Sequence, residues 1–197
     1  MYQHRRSRII IAGFLLTTCV GPLVGCSVEK RAFEAYRNGV KHFSDGRVDE
    51  ALILFNKALI DDPSLAMAHY YLGRCYLETD PPWPLVAEEE FKLALEMLNE
   101  TPDKLAKAGP ELEALPLDQV KAKILLGTGK ASAYRALLRI NLQLDLPAGA
   151  EQLSSALGYL KQGAKLDPEN REIAELADYY NVRLHQLRSY LRGVRAA

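Results

Sequence analysis

The chain has 197 residues, and its 25 basic residues are balanced by 25 acidic ones. That balance excludes the basic surface on which nucleic-acid binding depends. Three cysteines cannot build a disulfide framework, and no His lies within a helical turn of another His or of Cys75, so no zinc spacing arises.

Arg5, Arg6 and Arg8 precede an apolar segment from Ile9 to Val24, the charged and hydrophobic regions of a secretory signal. The competing reading, an uncleaved membrane anchor, needs ~20 apolar residues, more than this segment holds. The segment ends in Leu23-Val24-Gly25-Cys26, which resembles the bacterial lipobox. The resemblance implies that residues 1–25 are removed and that Cys26 opens the mature chain, acylated on its sulfur. Two acyl chains already suffice for stable anchoring. Ser27 replaces the Asp that holds such lipoproteins at the inner membrane, so the resemblance further implies the periplasmic face of the outer membrane. Residues 26–31 then form a lipidated tether of at most ~20 Å. The signal takes three Arg with it, leaving 22 basic and 25 acidic residues, a net charge of −3. About 170 residues remain, enough for one domain with a continuous core.

From Ala32 the pattern is helical. Tyr36, Phe43, Leu52, Phe55 and Leu59 recur at spacings of three and four, interleaved with the small residues Gly39, Ala51 and Ala58. Asp61-Asp62-Pro63 ends the second helix, because a proline disfavours the helical conformation in the residue before it. The pattern then restarts: Leu72-Gly73 and Tyr76 on one helix, Ala87, Phe91 and Ala94 on the next. Gly39 and Gly73 stand 34 residues apart. This period, with Leu-Gly-x2-Tyr followed by Ala-x3-Phe and Pro, resembles the tetratricopeptide repeat (TPR). The resemblance implies an all-α, TPR-like helix-turn-helix solenoid of about three repeats, over 32–65, 66–99 and 117–168, within a domain spanning 32–197.

In the second repeat the inter-helix loop is two residues longer and carries Asp80-Pro81-Pro82-Trp83-Pro84; Trp83 is expected to staple the start of its own helix. Residues 99–116 hold three prolines and read as an insertion with a short helix near Pro102–Lys107. In the third repeat Ala156, Leu160, Gly163 and Pro168 reproduce the spacing of Ala51, Phe55, Ala58 and Pro63. Its first helix, roughly Leu117 to Gln143, exceeds the template, and Gly127, Gly129, Ala131 and Ala133 find no register on it. Over 169–195, Ile173, Ala177, Tyr180, Leu184, Leu187 and Leu191 make the apolar stripe of a capping helix. Its arginines, Arg183, Arg188, Arg192 and Arg195, with no acid from Asn181 to Ala197, are expected to complement the helix macrodipole; the competing reading is a contact with anionic lipid headgroups.

By the same resemblance the first helix of each repeat lines a concave groove, at template positions two, five, nine, twelve and thirteen. In repeat one these are Phe33, Tyr36, Val40, Phe43 and Ser44; in repeat two they are Met67, Tyr70, Arg74, Leu77 and Glu78. Tyr36 and Val40 replace the Lys and Asn of a chaperone-type carboxylate clamp, so an apolar peptide or amphipathic helix suits this groove better. The competing assignment is that these side chains cover a neighbouring helix of the same chain.

Chemistry finds little purchase. Gly127-Thr128-Gly129-Lys130 imitates a phosphate loop but lacks Gly at 124 and Ser or Thr at 131, and it lies inside a helical pattern. Glu88-Glu89-Glu90 reads as a solvated face, His42 and His69 as packing residues with one nitrogen near solvent, and no nucleophile sits beside a base. Neither enzyme nor cofactor, nucleotide or metal site is expected. The expectation is a lipid-anchored adaptor for a protein or peptide partner in envelope machinery such as secretin, pilus, secretion or outer-membrane protein complexes. The alternatives are an accessory factor for an envelope polysaccharide or peptidoglycan enzyme, and a structural subunit of a secretion complex. Mass spectrometry of the membrane-extracted protein is expected to show a chain beginning at Cys26 with added acyl mass; an intact signal segment without acyl mass contradicts the lipoprotein reading.

Overall fold

Each turn in this chain is written in local chemistry, and the elements follow from it. The computed structural model describes residues 21–100 and 115–196, with side chains over 28–100 and 115–194. Seven helices appear among them: α1 (Gly21–Ser44), α2 (Val48–Asp61), α3 (Ala66–Glu78), α4 (Pro84–Glu100), α5 (Leu117–Asn141), α6 (Leu146–Leu166) and α7 (Arg171–Ala196). The signal segment up to residue 20, the short helix expected near Pro102–Lys107 and the side chain of Cys26 lie outside the described residues. Residues 26–31, expected as a tether, are part of α1.

The α1–α2 turn closes as a Schellman motif. Gly46 adopts φ +75°, its N–H donates to the Phe43 carbonyl and that of Arg47 donates to His42, satisfying carbonyls the helix leaves open. Asp62, extended ahead of Pro63, ends α2 while its N–H donates to Ala58, and its carboxylate accepts from Ser64 N–H. Pro84 occupies the first turn of α4, where its missing N–H costs no hydrogen bond. Asp145 caps α6 by accepting from Ala148 N–H at 2.9 Å.

Consecutive helices pack on one another throughout, and α3 also touches α1 and α5. The result is a solenoid of three helix pairs with α7 closing the stack. α7 buries Ile173, Tyr180 and Leu184 and half-buries Ala177, Leu187 and Leu191, the stripe expected of a cap.

What brings the helices together is one device used three times: a small residue on the first helix of a pair receives a large one from the second. A Cβ placed on Gly39 would stand 2.7 Å from the Phe55 ring, and one on Gly73 would stand 2.9 Å from Phe91. In the third pair Gly129 receives Leu160 at 2.9 Å, which supplies the register that the sequence pattern left open. Neighbouring pairs are joined by the same large residues. Phe55 stacks on Tyr71 of α3, with centroids 5.3 Å apart and planes at 16°. Phe91 meets Gly127 of α5, where an added Cβ would lie 2.6 Å away. Tyr71 stands two residues before Gly73 and Gly127 two before Gly129, so the two contacts are equivalent; only the partner's size differs. The glycines of the phosphate-loop imitation are thus seats for Phe91 and Leu160.

Two apolar clusters result, one around α1–α4 and one around α6–α7, and α5 is the wall between them. It sends Val120, Ile124 and Ala131 into the first and Ala122, Leu126, Ala133 and Ala136 into the second. A helix buried on several sides must be small and apolar nearly all round, as α5 is between Ile124 and Ala133.

The carboxylate run divides three ways, contrary to a solvated face. Glu88 is only 6% exposed and pairs with Arg135 at 2.7 Å and Lys92 at 3.0 Å, tying α4 to α5. Glu90 meets His69 Nδ1 at 2.7 Å, while Nε2 faces the Pro63 carbonyl at 3.1 Å, so neither ring nitrogen is left to solvent. Glu89 alone is exposed, beside Lys92.

These seats make a paired expectation for thermal or urea unfolding. Gly127→Ala gains about 1 kcal/mol of helix propensity but loses about 1–3 kcal/mol through overpacking against Phe91, whereas Gly158→Ala, with open space around its Cβ, gains about 1 kcal/mol and loses nothing. Equal effects of the two substitutions would contradict the seat.

Candidate functional site

The inner face of the solenoid is built from α3, α5 and the start of α7. Tyr70, Arg74, Leu77 and Glu78 recur along one face of α3; Lys123, Leu126, Gly127 and Lys130 recur along one face of α5. With Asn170, just ahead of α7, and Glu172 in its first turn, they line an open cleft of about 380 Å³ whose floor includes Phe91. Asn170 is also the cap of α7, accepting from Ile173 N–H at 3.3 Å.

The charges in this cleft are loosely held. Three cations, Arg74, Lys123 and Lys130, face two carboxylates, Glu78 and Glu172, an excess of one positive charge. The Arg74 guanidinium lies 4.4 Å over the Phe43 ring, within cation–π range, and 3.8 Å from Glu78. Lys130 pairs with Glu172, both side chains more than 40% exposed. Exposed pairs like these contribute at most about 1 kcal/mol, so an incoming charged group can exchange with them at little cost. Glu88–Arg135, elsewhere on α5, is the contrast: Glu88 is buried and Arg135 three-quarters covered, so the pair is costlier to disturb.

Of the expected groove residues, Tyr70, Arg74, Leu77 and Glu78 converge on the cleft. The rest are placed elsewhere. Tyr36 and Met67 are 1% and 2% exposed and belong to the first apolar cluster: Tyr36 of α1 meets Phe55 of α2 and Tyr71 of α3, and Met67 lies on α3 within the same cluster. Phe43 supports Arg74 from beneath, while Phe33 and Val40 are half-buried against the first cluster. Ser44 is spent on its own helix, donating to the Val40 carbonyl. For repeat one the competing assignment, packing within the chain, therefore describes most positions. Trp83 is 58% exposed rather than stapled against its helix.

The α5 contribution was missed for want of a register. Set Gly129 where Gly39 and Gly73 stand, as Leu160 justifies, and template positions two, five and nine fall on Lys123, Leu126 and Lys130, all of which line the cleft. The same shift places Tyr134, 40% exposed, at position thirteen.

Against known proteins, neither a family model nor a curated protein matches this sequence. Solved structures do. The first TPR of Spaghetti (RPAP3), bound to the HSP90 peptide SRMEEVD, is 19% identical over 80% of this chain and 98% of its own, with a TM-score of 0.55. The first TPR domain of the human RPAP3 protein, solved by NMR, is 19% identical over 82% and 98%, with a TM-score of 0.56. The chain has a TPR-like fold.

Beneath the cleft, next to Arg74, Cys75 is fully buried, and that burial pushes its thiol up to about 12, with Glu78 adding to the rise and Arg74 opposing it. Since the thiolate is the reactive form, iodoacetamide at pH 8 should spare Cys75 in the folded chain and modify it after denaturation, as read by peptide mapping. In the folded state the thiol keeps a proton that the unfolded chain loses near 9, so this residue's contribution to stability should fall as pH climbs from about 9 toward 12.

Proposed function

We propose that this protein is an adaptor without catalytic activity, docking a segment of another protein into the α3–α5–α7 cleft. The observation that carries this is the convergence of equivalent positions from two successive repeats on one open cleft whose ions are only loosely paired. Its size is that of a site for a few side chains, and it is walled by rigid helices, so little ordering is needed on binding. The RPAP3 domain's capture of a peptide supports the same use of the fold here.

The place of action we propose is the envelope. Acylation at Cys26 holds α1, and with it the stack, against the periplasmic face of the outer membrane, where the adaptor brings a partner to an assembling secretin, pilus, secretion or outer-membrane protein complex. The lipobox and the preceding apolar segment support this.

A photo-cross-linking residue at Leu77, in cells, is expected to trap one dominant envelope protein, and Arg74→Glu with Lys123→Glu to reduce that product at least tenfold. Both side chains are partly exposed and the Arg74–Glu78 pair is weak, so the melting temperature should fall by only a few degrees. Unchanged cross-linking in the double variant, or loss only together with unfolding, sinks the cleft as the docking site.

A further inference from the structure

The inner face continues past Lys130. Ten residues farther along α5, about 15 Å at the helical rise, a second recess of about 220 Å³ opens between the C-terminal halves of α5 and α7. Leu137, Ile140, Leu153 and Leu187 form its walls; Arg183, Gln186 and Tyr190 stand among them on α7. The recess is smaller than the 300–1,000 Å³ of most small-molecule sites, and its apolar walls suit one bulky apolar side chain. Tyr190, 60% exposed, is placed to close over such a group as interface tyrosines do.

Charge narrows the choice. Arg183 is the one charged group in the lining, it forms no ion pair or hydrogen bond among the described residues, and the sequence from Asn181 to Ala197 contains no acid. Arg188, by contrast, is occupied, donating to Ser154 of α6 at 3.2 Å. An apolar recess beside an uncompensated guanidinium selects an apolar group that carries a carboxylate close by.

We propose that this recess is a second anchor point, which takes a Phe- or Leu-sized side chain of the docked polypeptide while Arg183 holds an adjacent carboxylate of that polypeptide. The inference rests on the reading that the inner face receives a protein segment. It adds the spacing: along α5 the apolar anchor sits about 15 Å from the group that meets Lys130.

The test uses the full chain, methyl-labelled with ¹³C, in phosphatidylcholine nanodiscs. It is titrated with N-acetylphenylalaninate, with the corresponding amide, and with N-acetylglycinate. Saturable shifts confined to the methyls of Leu137, Ile140, Leu153 and Leu187 are expected, about tenfold weaker for the amide and absent for N-acetylglycinate. Arg183→Gln should bring the acid down to the level of the amide without changing the melting temperature. Equal binding of acid and amide, shifts that never saturate, or perturbation of the same methyls by phosphatidylglycerol vesicles but not by the probe would each overturn the proposal. The last of these would make the face a lipid contact. Cross-links at Leu77 without probe binding would remove the recess alone; probe binding without those cross-links would leave the recess standing while the first cleft falls.

Discussion

A phenyl ring needs a flat seat if two helix backbones are to approach on either side of it, and glycine is the residue that leaves one. Phe91 is seated on Gly73 of its own pair and on Gly127 of the next, fully buried between them. Burying such a side chain contributes about 1.5–3 kcal/mol, and removing it from a packed site costs about 3–5 kcal/mol. The seats also give up helix propensity, since each glycine costs up to about 1 kcal/mol in a helix interior. The exchange is favourable only because three helices share one ring.

From that contact the position of α5 follows, and from α5 nearly everything else. Its small residues let α4 and α6 pack against different sides, so it contributes to both apolar clusters. Its polar residues are then sorted by what lies opposite. Arg135 points to the α4 side and meets the buried carboxylate of Glu88, which Lys92 also holds, a network that fixes the register of α4 on α5. Lys123 and Lys130 point to the inner face, where water competes for them and a ligand can too. One helix thus supplies a permanent ionic tie on one side and an exchangeable one on the other.

The inner face accordingly grades from charged to apolar along α5. Near α3 it offers Arg74, Lys123 and Lys130 among weakly paired carboxylates. Near the end of α7 it offers aliphatic walls with a single arginine. A surface graded in this way distinguishes the two ends of an elongated ligand, which a uniformly apolar groove does not.

The sequence alone determined the helices, their order, the 34-residue step from Gly39 to Gly73 and the capping stripe from Ile173 to Leu191. It could do so because these are local matters: period, turn chemistry and the recurrence of apolar residues three or four positions apart. The resemblance of Leu23-Val24-Gly25-Cys26 to a lipobox is of the same local kind, a contiguous pattern at the end of an apolar run. What only the tertiary structure decided was which neighbour covers each face. Tyr36 and Met67 share a template with Tyr70 and Arg74, yet adjacent helices bury the first two and leave Arg74 in the cleft. Glu88 and Glu89 adjoin in the chain, yet about 100° of helical rotation points one at Arg135 and the other at water. Leu160, seated on Gly129, sets the register of the third pair, because the lengthened α5 breaks the count that links the first two repeats. A period says which way a side chain points along its own helix; what waits there is set by chain tens of residues away.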